Sequence, residues 1–320
     1  MKISVLGCGR WGSFISWYLS SQNFEVLNWG LEDTESYKIL KETGANEYVK
    51  LNKNIKLSSD LNEAVDFADV IIISIVSQGL RGLAEKVKNL GGDKKPIVLC
   101  MKGLEETTGK RLTEIMIESG FDNQKLAVWV GPGHIQEFTQ GKPNCMVVDG
   151  YNKELVKTLA DTFKSNLIRF YYGNDIIGSE IGAAAKNVMG IAAGILDGGG
   201  FKSLKGALMA RGAREVSRLI KAMGGNELSA YGLCHLGDYE TTLFSEFSNN
   251  RRYGEALYKG VRFSKTAEGV STAKAMMVLA KVYGVELPIT EAVYNIVYEN
   301  NDPLAELLSL FGRKSVEEFI

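Results

Sequence analysis

Gly7-Cys8-Gly9-Arg10-Trp11-Gly12 stands directly after the apolar run Ile3 to Leu6 and directly before a segment of helical spacing, from about Trp11 to Ser21. In a strand–turn–helix setting each glycine has its own physical task. Gly7 permits the tight turn, Gly9 removes a side chain where a pyrophosphate must approach, and Gly12 lets the helix pack close to a sheet. The first amides of the helix then point at the phosphates. This pattern, on the first strand of the chain, predicts a dinucleotide-binding site.

The pattern continues outward from that turn. Glu25 to Trp29 reads as a second strand, followed by Glu32 and Asp33. An acid about 20 residues past the glycines bonds the ribose 2′-OH of NAD, whereas an Arg there accepts the 2′-phosphate of NADP. The acids lean the expectation toward NAD over NADP, although Arg10 could also reach a phosphate. Further strands are expected at Val70 to Val76, Ile97 to Met101, Leu126 to Val130, Met146 to Val148 and Leu167 to Tyr171. Near-continuous apolar runs alternating with helices mean a mostly parallel sheet covered on both faces. The fold class is therefore α/β, a Rossmann-type doubly wound sheet. From about Ile177 onward only helical spacing is visible, at Gly182 to Leu196, Ala207 to Met223, Ser271 to Tyr283 and Ile289 to Glu299. We expect a dinucleotide-binding domain over residues 1–176 and an all-α helical domain over 177–320, joined near the Gly173-Asn174-Asp175 turn.

Bulk properties narrow the function. A chain of 320 residues accommodates two domains. With 37 basic and 38 acidic residues the net charge is -1, which gives no reason to expect nucleic acid or an anionic membrane as partner. The amino-terminal apolar run is too short for a signal peptide or a membrane span, so a cytoplasmic protein is expected. The four cysteines show no CxxC pair and are expected to be reduced and buried, and two histidines do not make a metal constellation.

Reduction of a ketone needs a general acid for the developing alkoxide. Two lysines are candidates. Lys102 follows the strand Ile97 to Met101 and lies at the carboxyl edge of the sheet, where ligands bind in open α/β folds. Lys186 is a lone charge in Gly182-Ala183-Ala184-Ala185-Lys186-Asn187, with Gly182, Gly190 and Ala193 on its helix face leaving room for a close neighbour. Read singly, either could be a surface lysine. A polar stretch, Gly237 to Thr242 followed by Ser248 to Arg252, carries hydroxyls, amides and guanidinium groups suited to a phosphate, or else forms a solvated loop.

Taken in order, these segments resemble the NAD(P)-dependent glycerol-3-phosphate dehydrogenases over nearly the whole chain. The shared motifs are Gly7 to Gly12, Lys102-Gly103, Gly131-Pro132, Asp175 to Asn187, Asp197-Gly198, Arg211-Gly212, Leu236-Gly237-Asp238, Asn250 to Gly254 and Ala267 to Val270. The resemblance implies hydride exchange between sn-glycerol 3-phosphate and dihydroxyacetone phosphate, with NAD or NADP as cofactor. It implies that Lys186 moves the proton, with Lys102 and Asp238 in the catalytic group. Lys102 would also contact substrate and cofactor and depress the pKa of Lys186. Gly131, Gly133, Asn187, Asp238, Thr242, Ser248, Asn249 and Asn250 fall on substrate-side positions. Gly7, Gly9, Arg10, Trp11, Gly12, Glu32, Ile135, Asn249, Thr266 and Glu268 fall on the cofactor side. The resemblance further implies a homodimer and a supply of glycerol phosphate for phospholipid synthesis.

The chain departs from the family pattern in several places. Asn249 stands where the family has an Arg that contacts phosphate and cofactor, with Arg251 or Arg252 as candidate replacements. Gly133-His134 lacks the family's hydroxyl. Lys202-Ser203 replaces a longer Gly-Asp-Asn segment. The family's Leu-Ala-Gly-Leu-Gly-Asp reads Leu233-Cys234-His235-Leu236-Gly237-Asp238, which puts a histidine at a glycine position. Two other readings stay open: a dehydrogenase of another small phosphorylated or carboxylated oxo compound, and a weakly catalytic nucleotide-binding regulator.

Overall fold

The computed structural model of the chain describes residues 1–315, 317 and 318. Its first half is a strand–helix alternation: β1 (Lys2–Leu6), α1 (Arg10–Ser21), β2 (Glu25–Trp29), α2 (Glu35–Thr43), β3 (Lys56–Ser58), α3 (Leu61–Phe67), β4 (Val70–Ile73), α4 (Leu80–Asn89), β5 (Ile97–Leu99), α5 (Leu112–Glu118), β6 (Leu126–Val130), α6 (Ile135–Phe138), β7 (Asn144–Gly150), α7 (Lys153–Phe163) and β8 (Ile168–Tyr172). The helices α8 (Ile176–Gly198), α9 (Leu204–Ala222), α10 (Asn249–Tyr258), α11 (Gly269–Tyr283), α12 (Pro288–Tyr298) and α13 (Pro303–Phe311) follow.

All strands form one sheet in the order β3-β2-β1-β4-β5-β6-β7-β8. The first six have the doubly wound order, with the chain crossing back from β3 to place β4 beside β1. Every pairing is parallel except β6 with β7. The β6–β7 connection holds only the one-turn helix α6, too little chain to return to the starting edge of the sheet, so β7 runs in the opposite direction. The apolar runs of β1, β4, β5 and β6 are buried almost throughout, as strands covered on both faces must be. Trp129, Tyr18, Phe14, Phe138 and Phe163 pack a continuous aromatic core against them. Cys8, Cys100 and Cys234 are buried and Cys145 on β7 is half-buried, and the four form no disulfide with one another.

The chain divides into two compact units, Met1–Leu104 with Lys110–Glu180, and Glu105–Gly109 with Ile181–Ile320. The division falls inside α8, a few residues beyond the expected 176/177 junction. Among the described residues the second unit contains helices and short turns but no strand. No helix of the described residues is long and apolar enough to cross a membrane.

The packing of α8 shapes the second unit. A Cβ on Gly194 would lie 1.8 Å from the Arg251 carbonyl oxygen, and one on Gly254 would lie 2.0 Å from the Ile191 carbonyl oxygen. α8 and α10 therefore touch backbone to backbone, which only glycine allows. Gly190 lies on the same face, against Thr242 and Asn250. That approach carries Thr242 and Asn250 to the stretch of α8 that bears Lys186 and Asn187. At the other end of the unit, the buried Glu215 of α9 accepts hydrogen bonds from the amides of Ile289 and Thr290, capping α12 from a distance.

Candidate functional site

In the first unit the glycine turn is built as its sequence dictates. Gly7 has φ 124°, and a Cβ there would lie 2.0 Å from the Ser74 carbonyl oxygen, where the ends of β1 and β4 meet. A Cβ on Gly12 would lie 2.0 Å from the Gly7 carbonyl oxygen. Gly9 differs: a Cβ there meets nothing within 4 Å. Gly7 and Gly12 are needed by the fold itself. Gly9 opens onto space, which is what a bound pyrophosphate requires. Gly9 caps α1 without a side-chain hydrogen bond and no acid stands in the first turn, so the leading amides stay available to an anion.

Around this turn, the Arg10 guanidinium lies 5.4 Å from the centre of the Tyr48 ring. The Lys102 ammonium donates to the Gly131 carbonyl at 2.6 Å and lies 5.8 Å from the Trp11 ring. Lys102, Trp11 and Gly131 are thus brought together at the carboxyl edge of the sheet. The buried Trp11 indole N–H has no hydrogen-bond partner among the described residues, a donor left for a ligand. Gly133 has φ 155°, and the place of its Cβ is filled by the Phe138 ring. Ile135 is fully buried in the core, so its side chain faces the sheet packing. Glu32 is exposed at 67% and pairs with Lys41 at 2.9 Å. These residues fit a dinucleotide: a glycine cradle, free helix amides, a cation and an unsatisfied indole.

The second unit holds the other group of expected residues. Lys186 is buried on α8, its amine 2.7 Å from Asp238 Oδ2 and 3.0 Å from the Thr242 hydroxyl. The carboxylate compensates an ammonium that burial alone would penalise. Thr241 donates to the other carboxylate oxygen of Asp238, which leaves Oδ2 to Lys186. Asp238 and Thr242 sit on a turn that runs from Leu236 to Phe244 through a 3₁₀ and a π segment.

One residue further on α8, the Asn187 side-chain oxygen accepts from the Asn250 amide at 3.0 Å. The Asn250 oxygen accepts from Gly269 N at 2.9 Å, tying α10 to the start of α11. Of the polar stretch, Ser248 is a helix start and not a solvated loop: its hydroxyl caps α10 by accepting from Arg251 N. Asn249 reaches the Thr266 carbonyl at 3.3 Å, and the Glu268 carbonyl accepts from the Thr272 hydroxyl at 2.8 Å. Arg251, a candidate replacement for the family arginine, is held by the buried Asp197 at 2.5 Å, which also binds Lys205 at 2.7 Å. Arg252 lies 5.9 Å from the Phe263 ring.

Sequence reasoning left His235 without a role. It is fully buried, with Nδ1 2.9 Å from the Gly182 carbonyl and Nε2 2.6 Å from the Tyr239 hydroxyl. Burial pushes its imidazole down to about 4, opposed by the Gly182 carbonyl and by Asp238, and reinforced by the charge on Lys186. The signal was there to read, a histidine three residues before Asp238 with a tyrosine four residues after it, but nothing local says that both turn inward.

Known proteins resemble this chain along nearly its whole length. The model for the N-terminus of NAD-dependent glycerol-3-phosphate dehydrogenase matches residues 2–156, and the model for its C-terminus matches residues 175–307. A glycerol-3-phosphate dehydrogenase [NAD(P)+] of Fusobacterium nucleatum is 37% identical over 94% of both chains. One of Chlorobium limicola is 33% identical over 99% of both. The crystal structure of glycerol-3-phosphate dehydrogenase from Coxiella burnetii superposes with a TM-score of 0.91 at 27% identity, covering 98% of this chain and 99% of that one. The glycine turn of the first unit and the buried lysine of the second thus stand in a chain that belongs to the NAD-dependent glycerol-3-phosphate dehydrogenase family.

Proposed function

We propose that this protein catalyses reversible hydride exchange between sn-glycerol 3-phosphate and dihydroxyacetone phosphate, using NAD(H) or NADP(H), with Lys186 as the general acid and base. The observation that carries the chemistry is the buried Lys186–Asp238 ion pair with Thr242 on the same amine. A bound nicotinamide cofactor supplies or takes the hydride. The chain supplies the proton. As negative charge builds on the carbonyl oxygen during reduction, Lys186 Nζ gives up a proton to it, and in the oxidative direction the neutral amine takes one from the hydroxyl. Asp238 and Thr242 hold the amine in one orientation, so little is lost in ordering it when substrate arrives.

Lys102 is assigned to the phosphorylated substrate and the cofactor, with Gly131 and Gly133 beside it. Asn187, Asn249 and Asn250 are assigned to the substrate, with Ser248 acting by fixing the first turn of α10. Gly7, Gly9, Arg10, Trp11 and Gly12 hold the cofactor phosphates, with Glu32, Ile135, Asn249, Thr266 and Glu268 assigned to the same ligand. Residues 1–176 serve as the nucleotide domain and 177–320 as the substrate domain. A cytoplasmic homodimer that supplies glycerol phosphate to phospholipid synthesis completes the proposal. The test is NADH oxidation with purified protein and dihydroxyacetone phosphate, repeated with NADPH. A rate no greater than the protein-free control with both cofactors overturns the proposal.

One observation favours a second reading. Asn249 brings no charge, and Arg251 is committed to Asp197. A site with one guanidinium fewer suits a less highly charged oxo substrate. A panel of small ketones decides between them: a tenfold higher kcat/KM on another compound, about 1.4 kcal/mol of transition-state binding, would select the second reading.

A further inference from the structure

We infer that His235 is a positioning residue that locks the turn of α8 beneath Lys186 to the loop carrying Asp238 and Thr242, an inference that rests on the role proposed for Lys186. The resemblance puts a glycine at this position, so the device is an addition to the family pattern. A carbonyl can only accept, so His235 Nδ1 carries the proton and donates to Gly182, at 2.9 Å. The neutral Nε2 then accepts from the Tyr239 hydroxyl, at 2.6 Å. Gly182 lies four residues before Lys186, one helical turn away. A Cβ on Gly182 would lie 3.0 Å from the His235 Cβ, so the imidazole reaches that carbonyl because the helix is bare there.

The other attachments of His235 lead to Asp238 and Thr242. Its own carbonyl accepts from Asp238 N at 3.0 Å, and the Tyr239 carbonyl accepts from Thr242 N at 3.0 Å. The imidazole therefore ties the helix that presents the amine to the loop whose backbone bonds hold Asp238 and Thr242. Full burial of His235 and Tyr239 removes competing water from these bonds. A glycine in place of His235 removes these two side-chain ties between the helix and the loop.

The test uses the full-length protein and three variants. Tyr239→Phe keeps the ring volume and leaves Nε2 without its donor. His235→Ala removes both bonds, together with the one to the Gly212 carbonyl. His235→Asn restores a donor toward Gly182. We expect kcat to fall about fivefold or more in Tyr239→Phe and more in His235→Ala, with substrate KM and NADH Kd within about twofold and partial recovery in His235→Asn. In an Asp238→Asn background His235→Ala is expected to cost almost nothing further, because both act through one pair. A kcat near wild type in Tyr239→Phe, or the same loss from His235→Ala in both backgrounds, overturns the inference. Should His235→Ala not fold, Tyr239→Phe decides. A readout independent of turnover is the ¹³Cε resonance of Lys186, assigned with Lys186→Arg. It should move in Tyr239→Phe, and an unmoved resonance counts against the inference. If the wild type reduces no triose phosphate, the proposed substrate fails while this resonance still tests the positioning.

Discussion

The Lys186 amine lies 2.7 Å from Asp238 Oδ2, and the two side chains are only 9% and 1% exposed. A buried pair of this kind is weak evidence of stability, because removing both charges can be neutral, whereas removing one strands the other. Function is the better account of its presence. Lys186→Ala should lower kcat by about two orders of magnitude or more, the range for losing a general acid, with NADH Kd near normal. It also takes the ammonium from the buried Asp238 carboxylate, so urea unfolding should show a loss of about 3–5 kcal/mol. A kcat loss below tenfold in folded protein would move the proton transfer to another group.

Gly9 and Gly12 share a motif and should respond to mutation in opposite ways. Gly12→Ala forces a methyl group 2.0 Å from a backbone oxygen that cannot move aside, and a cost of about 1–3 kcal/mol or more is expected. Gly9→Ala meets open space, and its φ of -73° suits alanine. Its Tm should match wild type while NADH affinity falls about tenfold or more, because the methyl group occupies the phosphate approach. Thermal unfolding alongside fluorescence titration with NADH separates the two. A Gly9→Ala protein with normal NADH affinity would show that the cofactor does not cross this turn.

How far the sequence revealed this depends on where each signal resides. Strands β1, β2 and β4 to β6 are apolar runs that a sheet covered on both faces demands, and they were legible. β3 was not, because Lys56–Ser58 is a short, polar edge strand. α10 was hidden by its composition: Asn249, Asn250 and Gly254 have poor helix propensity, and the close contact that Gly254 allows overrides it. α13 could have been found, since Asp302 before Pro303 is a capping residue followed by proline at the first helical position. Lys186 stood out as a charge in a small-residue helix. Its contacts with Asp238 and Thr242 could not be read, because they depend on how far α8 and α10 approach. Glu215 and His235 stayed silent for the same reason, as partners distant in sequence whose residue types carry no local pattern.

The buried His235 gives a pH dependence of defined sign. Its imidazole is pushed from an ordinary 6.5 down to about 4 by burial, with the Lys186 charge adding to that and the Gly182 carbonyl and Asp238 opposing. The unfolded chain therefore binds this proton more readily than the folded one. The stability tied to the neutral ring is fully present above about pH 6.5 and is lost as pH falls toward 4. Between pH 7 and pH 5 that loss amounts to about 2 kcal/mol for one group. Urea unfolding of wild type and His235→Asn at both pH values isolates it, because every other titration is shared. The stability gap between them should shrink by that amount at the lower pH, and a constant gap would mean that the ring is not held neutral.

Glu32 bears on the choice of cofactor. It follows β2, near where the ribose of a bound dinucleotide belongs, and among the described residues it makes an exposed ion pair with Lys41. An exposed pair contributes little and is easily exchanged for another partner. The carboxylate can therefore accept from a ribose hydroxyl, and it repels a 2′-phosphate. NADH should be used at least as well as NADPH, and Glu32→Gln should raise kcat/KM for NADPH a few-fold relative to NADH by removing the repulsion. Low ionic strength should enlarge the difference, since screening weakens charge effects at an exposed site. A clear NADPH preference in the wild type, unchanged in Glu32→Gln, would place the carboxylate away from the ribose and leave Arg10 as the group that reads the phosphate.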